Sequence, residues 1–423
     1  MGFPAAVVFA LVPAARTTSA VVILAVLITA IMDAVMRTRA LAGIRVELPV
    51  LLRLVQGREA QVPVSIHNPH AQGRRLRVGF ALPDGIETQP EDQWLSLPSH
   101  SPLFQVDWKF YPRHRGTFRI EECYLEAPSP LGLWAVRRRE DVSLEIRIYP
   151  NLRDEGLLRA FRRGSENIHV TRQIGRGREF EKLREYSPGD SSDEIHWKAT
   201  ARRGRPITKV FQVERTQEIY LAIDASRLSA RLIHGEAALE WAIKGALTVG
   251  AISDRRGDLF GIASFTDRVE AFVRARRGKS HYAACRDAIN DLRPRPVSPD
   301  FEEIAMFLRL RLRRRSLVVF LTALDDPMLA EHFQRATRLL ARRHLVMAAT
   351  LRPASTQPLF QNAHIESTED IYGALAGHLG WMKLRELQSA LTRQGVHLAL
   401  FDPELFASGL VQLYDDVKQR QLL

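Results

Sequence analysis

The sequence predicts a multidomain chain: an N-terminal transmembrane segment, a small all-β sandwich, and then an α/β domain. Three observations carry that reading. Residues 20–36 are almost uninterrupted Ala, Val, Ile and Leu, residues 44–150 break into short alternating runs, and from residue 218 continuous apolar runs alternate with amphipathic stretches. A chain of 423 residues exceeds what one hydrophobic core usually supports, so two or three domains are expected. Its 46% hydrophobic and 26% charged residues are ordinary for a folded protein and exclude a disordered one.

The first element is the membrane anchor, residues 1–43. Only Thr29 and Asp33 interrupt the apolar character of residues 20–36, a length near the lower limit for crossing a bilayer. Residues 3–15 form a shorter apolar segment, read as the second arm of a hairpin or an interfacial stretch. No basic residue precedes it and no cleavage site follows the second run, which argues against a secretory signal. Arg37, Arg39 and Arg45 follow the span and only Arg16 precedes it, so the positive-inside rule places the remainder of the chain in the cytoplasm.

Residues 44–150 read as the sandwich. Runs at 62–66, 76–80, 104–108, 117–120 and 144–148 alternate apolar and polar residues, separated by Asn68-Pro69, Pro83-Asp84-Gly85 and Arg115-Gly116. Residues 151–217 form a basic, glycine-punctuated connector and a signature region in which Ser187-Pro188-Gly189-Asp190 has turn chemistry. In 194–197, alternation would put Glu194 and His196 on one face and Ile195 and Trp197 on the other.

Residues 218–423 read as the α/β domain. The run 219–223 ends at Asp224, and a helix follows in which Leu239, Ala242, Ile243, Ala246, Leu247 and Gly250 share a face. Strands are expected at 259–265, 316–321, 344–350 and 396–401, an edge strand at 270–273, and helices at 280–292 and 300–312. Apolar strands of this kind argue for a parallel sheet covered on both faces.

Arg184-Glu185-Tyr186-Ser187-Pro188-Gly189-Asp190, followed by Ile195, Trp197-Lys198, Ala201-Arg202 and Glu214, resembles the signature of the bacterial domain-of-unknown-function 58 family. Arg115-Gly116-Thr117-Phe118 and 129–134 also look like the family, although Ser129 stands where it more often has Asp. The resemblance implies a membrane-attached bacterial protein with a von Willebrand A-like (Rossmann-like) α/β domain; with the orientation given by the flanking arginines, the expected location is the inner membrane with that domain facing the cytoplasm. The resemblance also implies a MoxR-type AAA ATPase as partner, acting on a client protein that is not specified.

In open α/β sheets ligands bind at the carboxyl ends of the strands, where Asp224 stands. Asp224-Ala225-Ser226-Arg227-Leu228 resembles the opening of a metal-ion-dependent adhesion site, and Ser298 would supply a later hydroxyl. Mg²⁺ is the cation such oxygen ligands suit. The pattern is degenerate, because Leu228 replaces the second serine, although Ser229 follows, and Ala323 replaces an expected aspartate, so no cofactor is expected. Asp190, Glu194 and His196 invite an acid/base reading, but sequence proximity does not make groups converge. Gly278-Lys279-Ser280 mimics the end of a phosphate loop but lacks the glycine five positions earlier, where Val273 stands.

The net charge of +12 favours anionic partners. The arginine-rich stretch 308–316 interleaves leucine, not aromatic residues, and reads as a helical face, so nucleic acid is not expected. Cys123 and Cys285 lie in separate predicted domains without metal-ligand spacing. The function expected is a membrane-anchored scaffold or adaptor, not an enzyme, whose docking face comprises Arg184, Tyr186, Gly189, Asp190, Trp197, Lys198 and Arg202. Its rivals are a metal-dependent hydrolase using Asp224 and Asp190, and a structural envelope protein with no ATPase partner.

Overall fold

The structure, a computed structural model, describes residues 16–37, 41–71, 73–152, 174–187, 195–212, 217–353, 356–359 and 367–420. The chain divides into two compact units between Asn151 and Leu152. In the first, helix α1 (Arg16–Arg37) precedes nine strands: β1 (Arg45–Glu47), β2 (Leu51–Val55), β3 (Ala60–His67), β4 (Arg74–Phe80), β5 (Ile86–Thr88), β6 (Asp92–Leu97), β7 (Leu103–Pro112), β8 (Gly116–Pro128) and β9 (Ala135–Tyr149). They form a four-stranded sheet ordered β1-β3-β7-β5 and a five-stranded sheet ordered β2-β9-β8-β4-β6.

Alternation produces the shared core. Val62, Val64 and Ile66 of β3 and Leu144, Ile146 and Ile148 of β9 enter one apolar cluster, while Glu145 and Arg147 pair outside it at 2.7 Å. Pro63 is tolerated within β3 because β1 stops opposite Ser65, leaving no ladder on that side for the missing N–H to serve. At the centre of β7, Trp108 is fully buried and packs edge-on against Phe80 at 4.9 Å.

Helix α1 corrects the expectation of a transmembrane segment at 20–36. No helix among the described residues is long and apolar enough to cross a membrane. The physical reason lies at Asp33, which is buried and accepts hydrogen bonds from Ser129 Oγ at 2.5 Å, Leu131 N at 3.0 Å and Leu133 N at 3.3 Å. Trp134 Nε1 adds a bond to the Ala30 carbonyl. These bonds outweigh the effect of burial and hold the Asp33 carboxyl below its usual range. With its last two turns fastened to a loop, the helix keeps about 20 Å of free apolar length, against roughly 30 Å of hydrocarbon. The apolar segment 3–15 lies outside the described residues.

In the second unit, β10 (Ile174–Glu185), α2 (Trp197–Arg203) and β11 (Ile207–Gln212) lead into β12 (Glu218–Asp224). There follow a short hairpin of β13 (Leu232–Ile233) and β14 (Glu236–Ala237), α3 (Ala238–Arg255), β15 (Leu259–Phe265), β16 (Val269–Arg276), α4 (Lys279–Asn290) and α5 (Phe301–Arg311). The chain continues through β17 (Leu317–Leu321), α6 (Pro327–Leu340), β18 (Leu345–Leu351), α7 (Thr368–Arg393), β19 (Val396–Phe401) and α8 (Phe406–Gln419).

The six-stranded sheet runs β16-β15-β12-β17-β18-β19. All neighbours are parallel except edge strand β16. Alternate residues serve opposite faces: Ile219, Leu221 and Ile223 meet α3, α4 and α8, while Tyr220 and Ala222 join a second core with α5, α6 and part of α7. Both faces are covered, so β12 is continuously apolar instead of alternating. Gly250 lets α3 approach the sheet, since a Cβ there would stand 2.6 Å from the Phe260 ring. Successive strands leave β12 in opposite directions, which puts the switch point between the carboxyl ends of β12 and β17.

Candidate functional site

The two places that the sequence singles out are the switch point and the lead-in element β10–α2–β11. At the switch point Asp224 ends β12 and is nearly inaccessible. Its Oδ1 accepts from Ser226 N at 2.8 Å, and its Oδ2 accepts from Thr322 Oγ1 at 2.5 Å. Burial pushes its carboxyl above the usual range, against the lowering effect of those bonds. Asp224 and Thr322 line a cavity of about 40 Å³ together with Ser229, Arg231, Thr350 and apolar residues. That is room for a water or two, not an organic substrate.

The hydroxyls expected as ligands have other tasks. Ser226 is fully buried, and its side chain caps the 3₁₀ turn Arg227–Ala230, accepting from Leu228 N at 3.4 Å. Ser229 donates to the Ser226 carbonyl at 2.8 Å, and Ser298 accepts from Arg227 Nε at 3.3 Å without lining the cavity. Arg231, held by Asp325 at 2.7 Å, brings a guanidinium into the lining. A hard divalent cation needs about six oxygens and no adjacent cation. The residues present do not fit Mg²⁺, and no three His, Cys, Asp or Glu converge as a metal group among the described residues.

One outcome follows. Because the folded carboxyl titrates higher than the unfolded one, its contribution to stability is complete at low pH and is lost as pH rises through the folded pKa. Asp224→Asn, which can keep both hydrogen bonds, is therefore expected to raise the unfolding midpoint by a few degrees at pH 7, with the gain vanishing in acid. A lowered midpoint at pH 7, or a wild-type midpoint that rises with Mg²⁺ only while Asp224 is intact, would reverse this reading.

Thr322 and Arg231 were missed by sequence reasoning. Thr322 has one usable signal: it directly follows a strand that neighbours β12, which makes it the first hydroxyl able to reach Asp224.

In the lead-in, β10 and β11 pair antiparallel, with Arg184 opposite Thr208 and Glu185 opposite Ile207. The expected alternation at 194–197 is corrected here. Ile195 bridges to Thr208, but the chain then turns into α2, and Trp197 is its first residue. His196 is the reason: its Nδ1 accepts from Ala199 N at 3.0 Å and its own N–H donates to the Ile207 carbonyl at 2.7 Å. Gly204, at φ 64°, closes the helix in the left-handed region that favours glycine. Thr200 Oγ1 accepts from Ile207 N at 3.0 Å, tying α2 back to β11.

This frame presents Trp197 at 70% exposure, with Tyr186, Lys198 and Arg202 also exposed and Arg184 half-buried. Gly189, Asp190 and Glu194 lie outside the described residues, so the acid/base grouping and the Asp190 part of the hydrolase reading have no described geometry. His196 itself is a helix cap.

Fold and site together define a doubly wound α/β module, preceded by a strand–helix–strand element, whose switch point is closed and whose aromatic display is on the lead-in. Residues 182–366 match the family model described as "Protein of unknown function DUF58", so this region of the chain is a domain of that family. The match begins within β10 and ends just before the start of α7. No curated protein matches the sequence.

Among solved structures, the chain is similar to a protein of unknown function from Porphyromonas gingivalis W83, with 17% identity over 26% of this chain and 49% of the other, at a TM-score of 0.19. It is also similar to a mutant of the SrpA adhesin from Streptococcus sanguinis, with 11% identity, 25% and 55% coverage and a TM-score of 0.17. A third is WR4, an MSP family member from C. elegans, with 9% identity, 25% and 96% coverage and a TM-score of 0.17. The chain spans about half the length of the first two. Scores of this size support nothing about fold or function.

Proposed function

We propose that the protein is a scaffold or adaptor that docks a MoxR-type AAA ATPase through the lead-in element and presents a client protein to it. The observation that carries this reading is the display of Trp197 on a short helix with no buried residue, held by the β10–β11 pair and backed by the exposed Lys198 and Arg202. A large ring left in water on a fixed frame has no folding role there, and Trp, Tyr and Arg dominate binding hot spots. The proposed location is the cytoplasmic face of the bacterial inner membrane. The exposed apolar residues of α1, among them Val21, Leu24, Leu27 and Ile31, supply a surface that can lie on lipid.

The test is affinity between the full chain and the MoxR-type ATPase encoded in the same genome. Trp197→Ala and Arg202→Ala are each expected to weaken it by about tenfold or more. Both side chains are exposed, so the unfolding midpoint should not move. Undiminished affinity in both folded variants would remove the lead-in from the docking face.

A further inference from the structure

We propose that the exposed apolar face of α7 is a self-association site, on which a second copy of this chain lays its own α7 antiparallel across a twofold axis. Helix α7 is the longest of the described residues, and its two sides are unlike. Gly377, Leu384 and Leu391 are buried on one side. There His378 Nδ1 accepts from Leu359 N at 3.1 Å, and a Cβ at Gly380 would touch Thr356 at 3.0 Å, so that side is fixed to its own unit.

On the other side Ile371, Leu375, Leu379 and Met382 are 50%, 45%, 51% and 43% exposed. Their spacing of four, four and three residues places them in one row along the helix. Tyr372, also exposed, stands at its edge. A row of this kind on a soluble surface calls for a cover.

The order of residues says what covers it. About a point close to residue 377 the row matches its own reverse to within half a residue: in an antiparallel pair Ile371 faces Met382 of the second copy and Leu375 faces its Leu379. The same register brings Glu369, in the first turn, beside the second copy's Lys383, and symmetry forms that pair twice. Parallel pairing would instead set Glu369 against Glu369 and Lys383 against Lys383. A twofold interface needs a patch that matches its own reverse, whereas a foreign partner imposes no such symmetry. The acidic end also disfavours an anionic lipid surface as the cover. Four apolar side chains per copy make an interface at the small end of the specific range, so the association is weak and concentration-dependent.

The experiment is sedimentation velocity of the full chain in a mild nonionic detergent, from about 1 to 200 µM, a range that spans weak association. A monomer–dimer equilibrium is expected, weakened by about tenfold or more in Leu375→Glu, where the face must accept a charge. Glu369→Lys and Lys383→Glu are each expected to weaken it, because each sets two like-charge pairs together. The double exchange is expected to restore it, which a merely local helix-end effect of Glu369 would not do. All three positions are exposed, so the fold should survive these changes. A monomer throughout the range, or a dimer indifferent to Leu375→Glu, overturns the site. Single charge reversals without effect overturn the antiparallel register.

Discussion

Trp108→Ala is expected to destabilise the first unit by about 3–5 kcal/mol, the range for emptying a large aromatic site in a core. The indole is 0% exposed. It meets Phe80 edge-on, and its Nε1 donates to Thr88 Oγ1 at 2.8 Å. Thr88 passes that bond on to the Lys109 carbonyl at 2.8 Å, so one residue joins the two strands β5 and β7 by side chain as well as by ladder. Val62 of β3 is the backbone partner of Trp108 on the other side, and the cavity would open at the centre of the four-stranded sheet. Trp108→Phe fills most of the space and loses the hydrogen bond, for which about 1–2 kcal/mol is expected. Urea unfolding followed by a probe in this unit measures both. A loss under about 1 kcal/mol for the alanine variant would mean that β7 is not the core strand described.

What the sequence makes legible and what it hides differ in range along the chain. The run 219–223 reads as a strand because burial on both faces makes every position apolar, a local signal. The row Leu239, Ala242, Ile243, Ala246 reads as a helix face because helical geometry repeats every few residues, and those residues are buried in α3. Asp33 shows the other case. In sequence it is a lone charge near the end of an apolar run, and only the loop ninety-six residues away, whose hydroxyl and amides it accepts, explains it. That same long-range contact is why the segment is no span. Thr322 is equally remote from Asp224, at a separation of 98 residues, and the side chain of Ser226 is claimed by a turn cap three-letter spacing cannot reveal. At 195–197 the failure is one of period: two residues of alternation preceded a cap, and His196 is a weak capping signal by type.

Asp258→Ala is expected to have the largest effect in the second unit, about 3–5 kcal/mol, because a buried hydroxyl and a buried backbone amide each lose their acceptor at about 1–3 kcal/mol and a charge pair is lost besides. Asp258 is 1% exposed, in the turn between α3 and β15. Its Oδ1 accepts from Gln217 N at 3.1 Å, and its Oδ2 accepts from the Tyr414 hydroxyl and from Lys418 Nζ at 2.7 Å. One carboxylate therefore fastens the residue before β12, the turn into β15 and the last turns of α8. Alanine leaves the Tyr414 hydroxyl without its acceptor inside the core, where burial and the Asp258 charge already push its pKa up. Asp258→Asn keeps an acceptor oxygen and should lose roughly half as much, since Lys418 is partly exposed and can turn to solvent. Denaturant unfolding gives the two magnitudes, and hydrogen exchange at the start of β12 gives their location. If exchange at Gln217 stays slow in the alanine variant, Asp258 is not the anchor of that junction. If it speeds up while Trp197 remains unchanged, weaker binding of the proposed ATPase partner in the same variant would show that the lead-in must be held at β12 to dock.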